Sequence, residues 1–176
     1  MTSSTQRTRG ATPEPPAGLA RFNASDETAA RAALHEACAS TAWGRALLAR
    51  RPYATTDALL AASDAAMAVL TADDLAEAMA GHPPIGRPKP GDATSQREQS
   101  GVQESLRAEL LELNLAYQDR FGHVFLICAT GRTGDQMLAA LKERIGHDAD
   151  TEREIVRTEL GKINRIRLSR LAEGPS

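Results

Sequence analysis

Aromatic side chains and cysteines are both scarce in this sequence. Phe, Trp and Tyr together make up 3% of the 176 residues, and the two cysteines, Cys38 and Cys128, lie far apart among apolar neighbours. A core with so few rings must be built from Ala, Leu, Ile and Val, and an alanine-rich chain with few β-branched runs favours helices. We expect both cysteines to be buried, reduced side chains of a protein from a reducing compartment.

An excess of one charge and long apolar runs are also missing. The formal net charge is −2, and Lys and Arg are spread along the chain, which argues against nucleic acid or an anionic membrane as a partner. No segment approaches the roughly 20 apolar residues that a membrane span needs. The N-terminus has no apolar signal core, and the chain ends in Gly174-Pro175-Ser176 rather than a peroxisomal signal. The expected location is the cytoplasm.

The sequence also lacks the common motifs for metals and phosphates. Its four histidines, His35, His82, His123 and His147, show no His-Glu-x-x-His spacing, and the cysteines form no Cys-x-x-Cys pair. There is no glycine-rich loop followed by Lys-Ser/Thr and no Gly-x-Ser-x-Gly turn. We therefore expect no metal site.

The chain is organised as a tail and one helical domain. Residues 1–19 are rich in Ser, Thr, Pro and Arg without periodicity, which predicts a disordered tail before a domain over residues 20–173. Ser25 is a predicted N-cap for the first helix, and Thr71 with Asp74 resembles a capping box. Apolar periodicity predicts further helices at about 43–48, 57–70, 71–81, 95–122, 135–145 and 151–171.

Two segments interrupt this pattern. Residues 82–94 contain four prolines and two glycines, which predicts a loop of restricted backbone freedom. The apolar run Val124–Cys128 is either extended or a piece of buried helix, and periodicity does not decide between them. The fold class is nevertheless all-α, a single compact domain of about eight helices joined by short connections.

His82 is a candidate general acid or base. It follows the helix-ending Gly81 and precedes Pro83, which directs it away from helical geometry and holds it in place. An imidazole titrates near neutral pH and suits proton transfer. The alternative is a surface histidine in a proline-rich turn.

The start of the long helix carries a second candidate group. Ser95 and Glu98 match a capping box, in which the serine caps the helix and the glutamate accepts from the serine amide. The same helix start also directs polar groups and N–H donors at an anionic ligand. Glu98 is therefore either a cap or a catalytic carboxylate.

Arg167 is the third candidate, because it shares a helical face with apolar residues. Val156, Leu160, Ile163, Arg167 and Leu171 follow steps of four, three, four and four. A guanidinium on that face either extends along its edge to water or faces a polar pocket. Glu159, about two turns earlier, is placed off the stripe by the same periodicity, and Arg165 is expected to be solvated.

Taken together, six segments resemble the 2-oxo-4-hydroxy-4-carboxy-5-ureidoimidazoline (OHCU) decarboxylase family. They occur in the family's order over about Phe22 to Leu171, and each is weak alone. The segments are Arg51-Pro52-Tyr53, His82-Pro83-Pro84-Ile85-Gly86, Ser95-x-x-Glu98-Gln99, Leu113-Asn114 with Tyr117, Phe121 to Ala129, and Ile163 to Leu168 with Arg167.

This resemblance implies an all-helical, homodimeric enzyme without metal or organic cofactor, a carboxy-lyase that acts on a small molecule in urate degradation. It implies catalytic roles for His82 and Glu98 and a substrate contact for Arg167. Residues that match the family's pocket lining are Pro83, Ser95, Gln96, Gln99, Phe125, Leu126, Ile127, Cys128 and Ala129. Two alternatives are an enzyme of the same fold acting on a related ureido or imidazoline acid, and a non-catalytic helical interaction protein.

Overall fold

A computed structural model describes residues 14–82 and 104–174 of the chain, and the regular secondary structure within these ranges is helical. The all-α prediction is confirmed. The described residues form eight helices and no strand: α1 (Ala17–Ala24), α2 (Glu27–Ala37), α3 (Thr41–Leu48), α4 (Thr56–Ala68), α5 (Ala72–Ala80), α6 (Glu104–Phe121), α7 (Gly134–Arg144) and α8 (Ala149–Glu173).

The first helix, α1, lies before Ser25, where the sequence pattern predicts none. It starts at Ala17, three residues before the predicted domain boundary at residue 20, and Leu19 is fully buried. A Cβ atom on Gly18 would lie 2.2 Å from the carbonyl oxygen of Leu171, so α1 packs directly on the end of α8. The prolines before this helix led to the prediction of a disordered tail. Pro16 is compatible with a helix because it precedes the first turn, where a missing N–H costs nothing. Residues 1–13, the rest of the predicted tail, lie outside the described residues.

Short polar side chains start the helices, mostly as the sequence indicates. The predicted capping box of α5 is present: the Asp74 amide donates to Thr71 Oγ1 at 3.2 Å, and the Thr71 amide donates to the Asp74 carboxylate at 2.9 Å. The predicted cap of α2 is wrong by one residue. Asp26 is the N-cap and accepts from the Ala29 amide at 2.8 Å, because its carboxylate is the group within reach of that amide. Ser25 instead donates to the Phe22 carbonyl at the end of α1.

Two hydrophobic clusters form the core. The larger is built by α1 to α5 and α8 around Trp43 and Leu160, and the smaller by α6 and α7 around Tyr117 and Met137. Cys38 and Cys128 are both buried and form no disulfide, as expected. None of the described helices is long and apolar enough to span a membrane.

The segment from Val124 to Ala129 joins the two clusters and is extended, not helical. Its side chains alternate between them, as they do in any extended chain. Leu126 and Cys128 pack in the larger cluster, whereas Phe125, Ile127 and Ala129 pack in the smaller one. This alternation settles the choice that the sequence left open.

Candidate active site

His82 lies at the end of α5 and is buried. Its backbone amide donates to the Met79 carbonyl at 2.9 Å, which continues the last turn past Gly81. The residue is 9% exposed, which does not fit the alternative of a surface histidine. A Cβ atom on Gly81 would lie 2.9 Å from Cβ of Ala39, so a glycine is needed for the end of α5 to approach the connection between α2 and α3.

Arg167, on α8, reaches the end of α2, next to the same connection. Its Nη1 donates to the Ala37 carbonyl at 3.1 Å, at the last residue of α2. The buried face of α8 runs through Leu160, Asn164 and Leu168, so Arg167 lies on the flank of this face and is half-buried. Arg167 also borders a small cavity of about 140 Å³ with Glu36 and Arg170. The guanidinium thus bonds inside the fold rather than only extending to solvent.

Two contacts lie close together at the end of α2 and the α2–α3 connection, residues 38–40, although the residues that make them are far apart in sequence. Gly81 packs on Ala39, and Arg167 binds the carbonyl that precedes Cys38. Burial raises the pKa of the Cys38 thiol, while hydrogen bonds from the Ser40 backbone and the Asn164 side chain and the charge of Arg167 act in the opposite direction. Cys38 is accordingly a packing residue beside the site.

The extended segment has charged side chains bound to its backbone. The Cys128 amide donates to Glu159 Oε2 at 2.8 Å, and Arg144 Nη1 donates to the Leu126 carbonyl at 2.8 Å. The sequence-based placement of Glu159 off the buried stripe is wrong: the residue is 6% exposed. Burial acts to raise the pKa of Glu159, but hydrogen bonds from Lys162 and the Cys128 amide outweigh it and the pKa is lowered.

Arg144 belongs to a buried ionic cluster that the sequence reasoning missed. Arg144 pairs with Glu152, which also accepts from Tyr117 Oη and lies 3.2 Å from Nδ1 of His147. A signal for this cluster was present. Glu152 lies one helical turn before Val156 on the same apolar face that drew attention to Arg167, and a charge on such a face needs a partner.

Five predicted site residues, Pro83, Ser95, Gln96, Glu98 and Gln99, lie outside the described residues, and their roles stay predictions. The described residues contain no group of three or more His, Cys, Asp or Glu side chains placed to hold a metal ion. A larger cavity of about 360 Å³ lies between α2 and α3 and has His35 and Cys38 in its wall. It includes neither His82 nor Arg167, so we do not assign it to this site.

Comparisons with known proteins agree on one family. The family model for OHCU decarboxylase matches residues 23–169. The chain is 32% identical over 144 residues to the uric acid degradation bifunctional protein TTL of Arabidopsis thaliana, covering 76% of this chain and 44% of the relative. It is 30% identical over 128 residues to the 2-oxo-4-hydroxy-4-carboxy-5-ureidoimidazoline decarboxylase of Haloferax volcanii, covering 70% and 74% of the two chains.

The fold matches solved structures as well. A crystal structure of OHCU decarboxylase in the presence of (S)-allantoin superposes with a TM-score of 0.71 at 29% identity, covering 80% of this chain and 96% of that one. A crystal structure of (S)-allantoin synthase matches in fold with a TM-score of 0.61 at 24% identity, covering 86% and 52%. Since the family model covers most of the sequence and the helical fold agrees with it, this chain belongs to the OHCU decarboxylase family.

Proposed function

We propose that this protein catalyses the decarboxylation of OHCU to (S)-allantoin in urate degradation. Family membership supports this activity, because relatives of this chain are named as OHCU decarboxylases and uric acid degradation proteins. The observation that carries the proposal is a pair of contacts at the end of α2 and the α2–α3 connection: Gly81, next to His82, packs on Ala39, and Arg167 binds the Ala37 carbonyl. Both contacts lie within a chain that matches the family from residue 23 to 169. His82, at the end of α5, is buried, and Arg167 on α8 is half-buried.

The substrate supplies its own electron sink. Carbon 4 of the imidazoline ring bears a hydroxyl and a carboxylate, and carbon 5 belongs to a C=N bond. When the bond to the carboxylate breaks, carbon dioxide leaves and the electron pair forms a double bond between carbons 4 and 5. The electrons of the C=N bond move to the ring nitrogen, which takes up a proton. The reaction therefore needs neither a metal nor an organic cofactor.

Each proposed residue has a distinct task in this reaction. His82 binds or deprotonates the hydroxyl group on carbon 4, which raises the electron density at that carbon. Arg167 stabilises the negative charge with a planar set of donors. Glu98 orients the polar groups of the substrate. The enol then becomes a carbonyl as its O–H proton leaves, and a proton delivered to one face of carbon 5 fixes the S configuration.

The extended segment gives the site a rigid wall. Phe125, Leu126, Ile127, Cys128 and Ala129 are all at most 8% exposed, so the segment cannot move without disturbing both hydrophobic clusters. In this proposal its backbone contacts the substrate, together with Pro83, Ser95, Gln96 and Gln99. We further propose that the protein is a cytoplasmic homodimer.

The experiment that tests this function follows the handedness of the product. Freshly generated OHCU decays without a catalyst, so the test is whether purified protein accelerates formation of optically active allantoin, followed by circular dichroism. We expect rapid accumulation of the S enantiomer, unchanged after exhaustive dialysis against EDTA. Formation of racemic allantoin at the uncatalysed rate would overturn the proposal, and turnover of a related ureido acid instead would identify a different substrate on the same fold.

A further inference from the structure

The extended segment is held by side chains rather than by a neighbouring strand. Buried backbone N–H and C=O groups need hydrogen-bond partners. Among the described residues, the segment pairs with no strand, and charged side chains from two helices bind its backbone. Arg144 of α7 donates to the Leu126 carbonyl, and Glu159 of α8 accepts from the Cys128 amide, each at 2.8 Å.

The two bonds act on one edge of the segment. In an extended chain, backbone groups of residues i and i+2 point to the same side. The Leu126 carbonyl and the Cys128 amide therefore lie on a common edge of the segment. Because one bond comes from α7 and the other from α8, the two helices together fix the position and orientation of this edge.

Arg144 is itself held rigidly. Its Nε and Nη2 donate to Glu152 Oε1 at 2.9 and 2.5 Å, and its guanidinium lies 4.5 Å from the centre of the Phe125 ring. The Arg144 and Glu152 side chains are 6% and 0% exposed, so water does not compete for these bonds. One planar group thus joins the buried carboxylate to the backbone of the segment.

Glu159 connects the segment to the helix that carries Arg167. It lies eight residues, about two turns, before Arg167 on α8. Lys162 Nζ lies 2.5 Å from Glu159 Oε1, so the other carboxylate oxygen remains for the Cys128 amide. The position of the segment and the position of Arg167 are therefore set by the same helix.

We infer that Arg144 and Glu159 are positioning residues, which hold the backbone of residues 125–129 in register with His82 and Arg167. This inference rests on the proposed function, because it gives the segment a role in binding the substrate. Neither side chain needs to touch the substrate. Each acts through the Leu126 carbonyl or the Cys128 amide.

The test separates loss of the hydrogen bond from loss of charge. Glu159→Ala removes the acceptor, whereas Glu159→Gln keeps an oxygen that accepts from the Cys128 amide. We expect Glu159→Ala to lower kcat/KM per folded molecule by about 10-fold or more, since small misplacements in a site have large effects on rate. Glu159→Gln should recover most of that loss. The Arg144→Lys variant, which keeps the charge but loses the planar set of donors, should lower kcat/KM in the same way.

Val156→Ala is the matched control. Val156 is fully buried on α8 and packs in the same cluster, but its side chain makes no hydrogen bond to the segment. It should lower the melting temperature and leave kcat/KM per folded molecule unchanged. If Glu159→Ala behaves like Val156→Ala, or if Glu159→Gln gives no recovery, the inference is overturned while the activity of the wild type still supports the proposed function. An inactive wild-type protein would overturn both.

Discussion

His82 is buried and directly follows Gly81, which packs on Ala39 of the α2–α3 connection. We expect His82→Asn to fold normally and to lower kcat by about 100-fold, because an amide does not transfer protons near neutral pH. Steady-state turnover of OHCU with the protein's melting temperature checks both statements. His35, an exposed histidine, is the matched control: His35→Asn should turn over at the wild-type rate. Near-normal turnover in His82→Asn would reduce His82 to a packing residue.

Glu98 has two possible roles that one substitution distinguishes. Glutamine also serves in a capping box, so a pure cap predicts that Glu98→Gln changes neither rate nor stability. A catalytic carboxylate predicts an equally stable protein with turnover lowered by about 10-fold or more. We expect the second result, measured as kcat alongside the free energy of unfolding. Unchanged kcat would assign Glu98 to the helix cap alone.

Arg167 and Arg165 form a natural pair for testing the role of the guanidinium. Arg167→Lys keeps the charge but loses the planar set of donors that binds the Ala37 carbonyl, so we expect a folded protein with kcat/KM lowered by about 10-fold or more. Arg165 forms an ion pair with Asp64 on the surface, with side chains 47% and 49% exposed. Arg165→Lys retains that pair and should be nearly silent. Equal, small effects on kcat/KM from both would remove Arg167 from the site.

The α5 helix depends on a close approach at its end. Alanine at position 81 would place its Cβ 2.9 Å from Cβ of Ala39, so the end of α5 must shift and carry His82 with it. We expect Gly81→Ala to lower kcat/KM and to destabilise the protein by about 1–3 kcal/mol through overpacking. Activity assays and urea unfolding measure the two effects.

Gly161, within α8, is the control for this substitution. Apart from the adjoining backbone of α8 and the neighbouring residues in sequence, no atom of the described residues lies within 4 Å of the position a Cβ would take there. Gly161→Ala should stabilise the protein by up to about 1 kcal/mol, because alanine is the better helix former, without changing kcat/KM. Wild-type activity in Gly81→Ala would show that the position of His82 does not depend on this contact.

The Arg51-Pro52-Tyr53 motif joins helices to one another and takes no part in the proposed reaction. Arg51 Nη1 donates to the Phe22 carbonyl at 2.7 Å, and Tyr53 Oη donates to the Leu47 carbonyl at 2.7 Å. The Tyr53 backbone also exchanges two hydrogen bonds with the Asn23 side chain, at 2.8 and 2.9 Å. These bonds tie α1 to the connection after α3. Part of the sequence resemblance therefore reflects how the fold is joined, not how the reaction proceeds.

The whole molecule should lose stability in acid. Hydrogen bonds lower the pKa values of the carboxyl groups of Asp74, Glu77 and Asp148, each of which accepts from backbone amides at a helix start, and the pKa of Glu159 is lowered as well. A lowered pKa contributes stability above the unfolded-state values of 3.8 for Asp and 4.5 for Glu, and this stability is lost as the pH falls through the folded-state pKa.

We therefore expect the free energy of unfolding to fall between about pH 5 and pH 3. Urea titrations at several pH values measure it. Asp148→Asn keeps a capping side chain but does not titrate, so its stability should depend less on pH. A free energy of unfolding that is constant or rises over this range would contradict the assignment.

Local patterns were sufficient for much of the fold. Apolar periodicity and caps such as Thr71 with Asp74 are properties of residues close in sequence, so the all-α class and most helices followed from them. Periodicity failed at α1, where the prolines dominate the composition, and at residues 124–129, where apolar residues on both sides of an extended segment leave no polar face to count.

The site depended on contacts between residues far apart in the chain. Sequence spacing identified His82 and Arg167 as unusual residues. The contacts of Gly81 with Ala39 and of Arg167 with the Ala37 carbonyl, however, required α5 and α8 to pack near the end of α2. The partners of Arg144 and Glu159 were equally inaccessible, because the Leu126 carbonyl and the Cys128 amide are backbone groups that every residue type carries. The sequence gives the chemistry of each side chain. Which backbone group a side chain binds is decided by packing, because only a backbone group removed from water needs such a partner.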